Sequence, residues 1–115
     1  MDRIIYKIAP RAQWADAEAA GVFEGAPIDL ADGFIHFSTA AQAKETAARH
    51  FAGQSDLKLI AVDTAKLGAA LKYEVSRGGA LFPHLYAPRE LSAVVWDKDL
   101  PLGPDGAHAF PEIGG

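Results

Sequence analysis

Two histidines sit in apolar, strand-like surroundings: His36 in Gly33-Phe34-Ile35-His36-Phe37-Ser38-Thr39, and His84 in Phe82-Pro83-His84-Leu85-Tyr86. An imidazole gains and loses a proton near neutral pH, so a pair of them suits general acid–base chemistry or hydrogen bonding to a ligand hydroxyl. The competing reading is a core imidazole satisfied by a neighbouring backbone carbonyl, because buried polar groups are normally paired. Ser38 and Thr39 follow His36 where a strand gives way to a helix start. Backbone N–H groups at such a place favour a phosphate or other anion, and the same two hydroxyls also serve as plain helix caps. Pro83 fixes its own φ and stiffens the approach to His84; a loop packed through Phe82 and Leu85 with His84 solvated is the alternative. Tyr6, Lys7 and Tyr86 add hydroxyl and ammonium donors. Glu74 offers the carboxylate that an electron-deficient sugar carbon would need, although an exposed carboxylate on a polar strand face is the usual case.

Other basic residues have simpler explanations. His50 falls beside Arg49 in the last turn of a helix, where it complements the helix C-terminus, and His108 falls in a Pro/Gly-rich tail. No HxH, HxxxH or HExxH spacing supports a metal site built from His36, His50 and His84. No GxGxxG or GxxxxGK[ST] pattern supports a nucleotide site of the Rossmann or P-loop kind.

The elements that must position these groups follow from periodicity. Arg3 to Ile8 alternates as a partly buried strand, with Ile4, Tyr6 and Ile8 on one face. Pro10 opens a helix over Arg11–Ala20, stopped by Gly21. Val22 to Leu30 is an irregular connection with a short strand, ending in a turn at Asp32-Gly33. Phe34 to Phe37 is a strand that puts His36 on the same side as Phe34 and Ser38. Thr39 and Gln42 match a capping box for a second helix over 40–51, with Ala40, Ala43, Ala47 and Phe51 on its buried stripe. Leu57 to Val62 is an interior strand, followed by a short helical turn from Asp63-Thr64 to Gly68. Leu71 to Ser76 alternates with Leu71, Tyr73 and Val75 inward, and Gly78-Gly79 breaks it; Ser92 to Trp96 is the last strand. Trp14 and Trp96 are core anchors. Helices near the front followed mostly by strands make an α+β fold.

A chain of 115 residues is one domain, read here as 1–115 with an irregular tail over 98–115. Half of its residues are hydrophobic and 23% are charged, a globular composition. There is no cysteine, which excludes disulfides, thiolate nucleophiles and zinc–thiolate sites. The formal net charge of −4, without a Lys/Arg cluster, argues against non-specific nucleic-acid binding but leaves room for a small nucleotide. No apolar run reaches membrane-spanning length and no signal-peptide core opens the chain, so a cytoplasmic protein without a membrane partner is expected.

The order Ile5-Tyr6-Lys7-Ile8, Trp14, Gly21, Asp32 to Thr39, Gln42, Phe51, Leu57-Lys58-Leu59, Tyr73-Glu74, Phe82 to Tyr86 and Ala93-Val94 resembles the small bacterial family called domain of unknown function 952. The paired motifs GFIHFS and FPHLY carry most of that resemblance, which covers nearly the whole chain. It implies a fold similar to the ADP-ribosyltransferase superfamily, a split, mostly antiparallel α+β sheet with two main helices that grips NAD in a cleft. In such transferases a first-strand His or Arg holds the nicotinamide-side ribose, a Ser, Tyr or second His follows, and a Glu steadies the oxocarbenium ion. Carried over, this makes His36, His84 and Glu74 the candidate catalytic residues, and Tyr6, Lys7, Ser38, Thr39 and Tyr86 the candidate ligand contacts. The family commonly has His where this chain has Lys7, and an ammonium donates hydrogen bonds but accepts none. The implied chemistry is ribosyl transfer or hydrolysis, with NAD or a related nucleotide as substrate; no particular cofactor is indicated, and the spacings above indicate no metal. The alternative is a non-catalytic module that binds a small ligand or a protein through the same cleft. Either reading needs both imidazoles on one solvent-reachable concavity.

Overall fold

The structure is a computed structural model that describes residues 3–23, 33–67, 70–75, 81–86, 89–90, 94–104, 106–111 and 113. Its elements run β1 (Ile4–Pro10), α1 (Arg11–Ala20), β2 (Val22–Phe23), β3 (Ile35–His36), α2 (Ala40–His50), β4 (Leu57–Asp63), a 3-10 turn (Thr64–Lys66), β5 (Leu71–Val75), β6 (Leu81–Leu85), β7 (Arg89–Glu90) and β8 (Val94–Asp99). The strands form two three-stranded sheets, β1-β4-β8 and β3-β6-β5, and a two-stranded β2-β7 ribbon, antiparallel at each described pairing. The fold is a small single-domain α+β arrangement with two helices.

One pair of residues joins the two larger sheets. The Tyr6 N–H donates to the Ser38 carbonyl and the Ser38 N–H donates to the Tyr6 carbonyl, both at 2.8 Å. The residue after β3 plus one is thereby fixed against the first strand, so whatever β3 carries is held relative to β1.

Two apolar clusters cover opposite faces of β1 and β4. Ile5, Ala9, Ile60 and Val62 pack with Trp14 and Ala17 of α1 and with Ile35 and Leu85 of the second sheet. Tyr6, Ile8, Leu57, Leu59 and Ala61 pack with Ala43 and Ala47 of α2 and with Leu100. Strand β1 is therefore buried on both faces rather than half-buried, because α1 and α2 cover opposite sides of it. Lys7 is carried inside as a result, at 6% exposure.

Both helices follow their sequence signals. Gly21 ends α1 at φ +79°, a left-handed conformation, with its N–H donating to the Ala17 carbonyl. At the start of α2 the Thr39 N–H donates to Gln42 Oε1 at 3.1 Å, and Gln42 Nε2 donates to the Leu81 carbonyl at 2.7 Å, tying the helix to the head of β6. Ala40 and Phe51 pack, partly buried, on the same cluster as Ala43 and Ala47, completing the stripe expected of that helix.

Three expectations change. Val75 is 69% exposed instead of inward, because β5 is an edge strand and Val75 lies at its end, opposite the exposed Leu81. The last strand is seen over Val94–Asp99, three residues past Trp96, because Lys98 and Asp99 pair with Leu59 and Lys58. The segment after it packs back: Leu100 is fully buried, Phe110 and Ile113 lie on the α2-side cluster, and His108 Nε2 lies 2.8 Å from the Gln54 carbonyl oxygen. The connection through Gly25 and Pro27, Asp32 of the expected turn, Gly68, Gly78-Gly79 and Ser92 lie outside the described residues.

Candidate functional site

Antiparallel register decides which side chains can meet. Leu71 pairs with Leu85 and Leu85 with Ile35, while Lys72 pairs with His84 and His84 with His36. Directly opposed residues point to the same face of a sheet, so the two sets separate. Leu85 and Ile35 belong to the core with Leu71 packed against them, whereas Lys72, Glu74, Phe82, His84, Tyr86, His36, Phe34 and Ser38 share the other face.

His36 and His84 are also brought close by the ladder itself. The Phe37 N–H donates to the Pro83 carbonyl at 3.0 Å, which makes Phe37 and Pro83 face each other through their backbone groups. By alternation His36 and His84 form the neighbouring non-hydrogen-bonded pair, the kind whose side chains approach more closely. Their ring centroids are 5.5 Å apart, at an interplanar angle of 70°. The same alternation explains how a proline sits in the central strand of its sheet. The missing N–H of Pro83 faces the end of the short β3, so the ladder to β5 keeps its donors.

His84 is nine-tenths buried and heavily constrained. Its Nδ1 lies 2.9 Å from Glu74 Oε1, and the Tyr86 hydroxyl donates to the same oxygen at 2.5 Å. The Tyr86 hydroxyl first, and then His84, hold the Glu74 carboxyl below its ordinary range. An ionised carboxylate only accepts hydrogen bonds, so in either charge state of the ring Nδ1 carries a proton toward Glu74, and in the neutral ring Nε2 is the acceptor nitrogen. Phe34 stacks on His84 at 4.2 Å and 27°, and tilts against His36 at 4.7 Å and Tyr86 at 5.2 Å. Gly33, at φ +84°, delivers Phe34 to that position.

A cavity of about 360 Å³ opens between this face and α2, lined by Tyr6, Lys7, Ile8, His36, Phe37, Ser38, Thr46, His50, Phe51, Phe82 and His84. Ser38 and Thr46 close part of its wall with a 2.8 Å hydroxyl pair. Of the residues singled out from sequence, Tyr6, Lys7, His36, Ser38 and His84 line it. Glu74 and Tyr86 do not; Glu74 touches His84, and Tyr86 touches Glu74. Thr39 stands at the start of α2, bonded to Gln42, and is also outside the lining.

Sequence reasoning missed two contributors. The helix C-terminus accounts for His50 in sequence, yet the residue lines the cavity with Thr46, and their i, i+4 spacing on one helix face is the available signal. Phe34 shares a side with His36 in the sequence pattern, and its stacking on His84 depends on a cross-strand register that sequence does not display. Among the described residues no group of three or more His, Asp or Glu is arranged to hold a metal ion.

The Glu74 contacts make stability depend on pH at both ends. The carboxyl is lowered from 4.5, so its stabilisation is complete above that value and is lost as pH falls through the lower folded value. The Tyr86 phenol is raised from 10.0, chiefly by its bond to Glu74, so its contribution is complete below 10.0 and is lost as pH rises through the folded value. Thermal unfolding of the wild type, Glu74→Gln and Tyr86→Phe across pH will show the difference between wild type and Glu74→Gln shrinking in acid, and that between wild type and Tyr86→Phe shrinking in alkali. Curves that stay parallel throughout would show that neither contact forms.

Residues 8–97 match the family described as Protein of unknown function (DUF952). The chain belongs to that family. It is also similar to the crystal structure of CC0527 from Caulobacter crescentus, at 55% identity and a TM-score of 0.88, covering 92% of this chain and 93% of that one. The solution NMR structure of CC0527 gives 55% identity and a TM-score of 0.83, covering 91% and 90%. No curated protein matches the chain. Among the described residues no helix of this DUF952 protein is long and apolar enough to cross a membrane.

Proposed function

We propose that the cavity binds a ribosyl-bearing small molecule, an ADP-ribose-like nucleotide, and that His84 handles a proton at the ligand. The observation that carries this reading is the Glu74–His84 contact. A carboxylate fixes the tautomer of an imidazole whose ring lines a concavity beside a second imidazole. That is how a general base is oriented, and a positioned general base or acid contributes about 10²–10⁴ to a rate. His36, 5.5 Å away, is placed to hold a hydroxyl or to serve as the partner acid.

Cavity size supports a modest ligand. At about 360 Å³ it falls at the small end of the roughly 300–1,000 Å³ typical of small-molecule sites, room for one ribosyl unit and its substituent, with the remainder of a larger nucleotide lying outside it. The GFIHFS and FPHLY motifs support the ribosyl class through the likeness of the family to ADP-ribosyltransferases, an argument by analogy. Within this reading Glu74 orients His84 rather than facing a sugar carbon, since it is already engaged by two donors.

A second reading is favoured by Lys7. A buried ammonium stands on the cavity wall where the family commonly has an imidazole, and it cannot accept a proton or hydrogen bond from the ligand while charged. In that case the domain binds the same ligand without turning it over.

Calorimetric titration of wild type and His36→Ala with NAD, ADP-ribose and a 2′-phosphorylated ribonucleotide, alongside a nicotinamide and phosphate release assay, tests both readings. Binding weakened about tenfold or more by His36→Ala is expected, because one charged or buried hydrogen bond is worth about that much. Product release would select the enzyme, and binding without release the module. Failure of the wild type to bind all three would remove the ribosyl reading altogether.

A further inference from the structure

The cavity is basic although the chain is acidic. The protein has 15 Asp and Glu residues against 11 Lys and Arg, yet the described residues lining the cavity include no carboxylate. They include Lys7 and three imidazoles, His36, His50 and His84, with the hydroxyls of Ser38 and Thr46 among them. These groups arrive from β1, β3, β6 and α2, so the composition is not the periodicity of any single element.

Their burial raises the stakes. Lys7, Ser38 and His84 are each more than nine-tenths buried, and charge–charge attraction is stronger where water is excluded. A cleft of one sign of charge with low-dielectric walls concentrates ions of the other sign. Ammonium, imidazole N–H and hydroxyl donors also match the many acceptor oxygens of a phosphoryl group. The aromatic walls, Phe82, Phe51 and Tyr6, would accommodate the apolar face of a sugar beside it.

We propose that the cavity recognises its ligand by a phosphoryl group, making the ligand a phosphorylated ribose, and that His50 on α2 is one of the donors that binds it. This rests on the ribosyl reading above and narrows it. Recognition is thus shared between the sheet, which supplies the Glu74-oriented His84, and the helix wall, which supplies His50 near the phosphoryl group.

The test is calorimetric titration of the full chain with inorganic phosphate, adenosine 5′-monophosphate and adenosine, with ring-proton NMR of His50 and His84 recorded alongside. The nucleotide is expected to bind at least about tenfold more tightly than the nucleoside, and inorganic phosphate to compete with it while shifting both histidine signals. Because Lys7 is buried and its replacement could unfold the strand, the variant is the exposed His50→Gln. It should weaken the nucleotide about tenfold, leave the nucleoside unchanged and keep the melting temperature of the wild type. Equal affinity for nucleotide and nucleoside, with no response to phosphate, would overturn the phosphoryl proposal while leaving the ribosyl reading in place. Competition by phosphate with no gain from the attached nucleoside would uphold the phosphoryl site and overturn the ribosyl reading. Silence with all three probes would overturn both.

Discussion

On the proposed enzymatic reading, replacing His84 by alanine is expected to reduce turnover of a ribosyl substrate by about 10²–10⁴-fold, the usual contribution of a positioned general base. The domain should remain folded, because Leu85 and Pro83 on either side stay buried and β6 keeps its ladders to β3 and β5. The informative companion is Glu74→Gln. An amide can accept from Nδ1–H or donate to a bare Nδ1, so it no longer selects one tautomer of His84. Ligand affinity should then stay within a few fold of wild type while the rate falls, since the imidazole is present but its lone pair is not held in place. If both variants lose binding and rate in the same proportion, His84 and Glu74 shape the cavity and handle no proton. If both retain wild-type rates, the proton-transfer role is wrong.

Leu85→Ala should carry the largest stability effect at the site's foundation. Leu85 is fully buried in the central strand β6, with Ile35 and Leu71 opposite it on the two flanking strands. Truncating such a leucine removes transfer energy and leaves a hole, at a cost of about 2–5 kcal/mol. In a domain of this size each kilocalorie lowers the melting temperature by several degrees, about 4–8 °C, so a drop of 10 °C or more is expected. Chemical denaturation and thermal unfolding measure it directly. The cavity face should be disturbed as well, because Leu85 stands between His84 and Tyr86 and anchors the strand that presents both. A loss below about 1 kcal/mol would mean that the second sheet does not pack as described.

What could be read from sequence divides along physical lines. Both helices were legible because they are bounded by local signals, Pro10 and Gly21 for the first and the Thr39–Gln42 pair for the second, and local signals need no knowledge of neighbours. The histidine strands were legible as strands. Their register was not, because pairing of His36 with His84 is set by the turns and ladders between residues nearly fifty positions apart. Double burial of β1 escaped for a related reason: alternation of Arg3, Ile5 and Lys7 looks half-exposed until α1 and α2 are placed on opposite faces. Glu74 stands out in the sequence for its charge, whereas its contacts with His84 and Tyr86 are visible only in three dimensions. His50 was hidden behind a sufficient local explanation. A residue at a helix C-terminus looks explained, and nothing nearby in the chain indicates that Ser38 and Phe82 face the same space.

The central claim is that Glu74 fixes His84 with its proton on Nδ1 and its Nε2 lone pair available at a ligand-binding cavity. Long-range nitrogen–proton NMR of the His84 ring, recorded near neutral pH before and after addition of ADP-ribose, measures this most directly. The account predicts a protonated Nδ1 and a lone-pair Nε2 in the free protein, with the Nε2 resonance moving on titration. A proton on Nε2, or ring signals indifferent to the ligand, would contradict it.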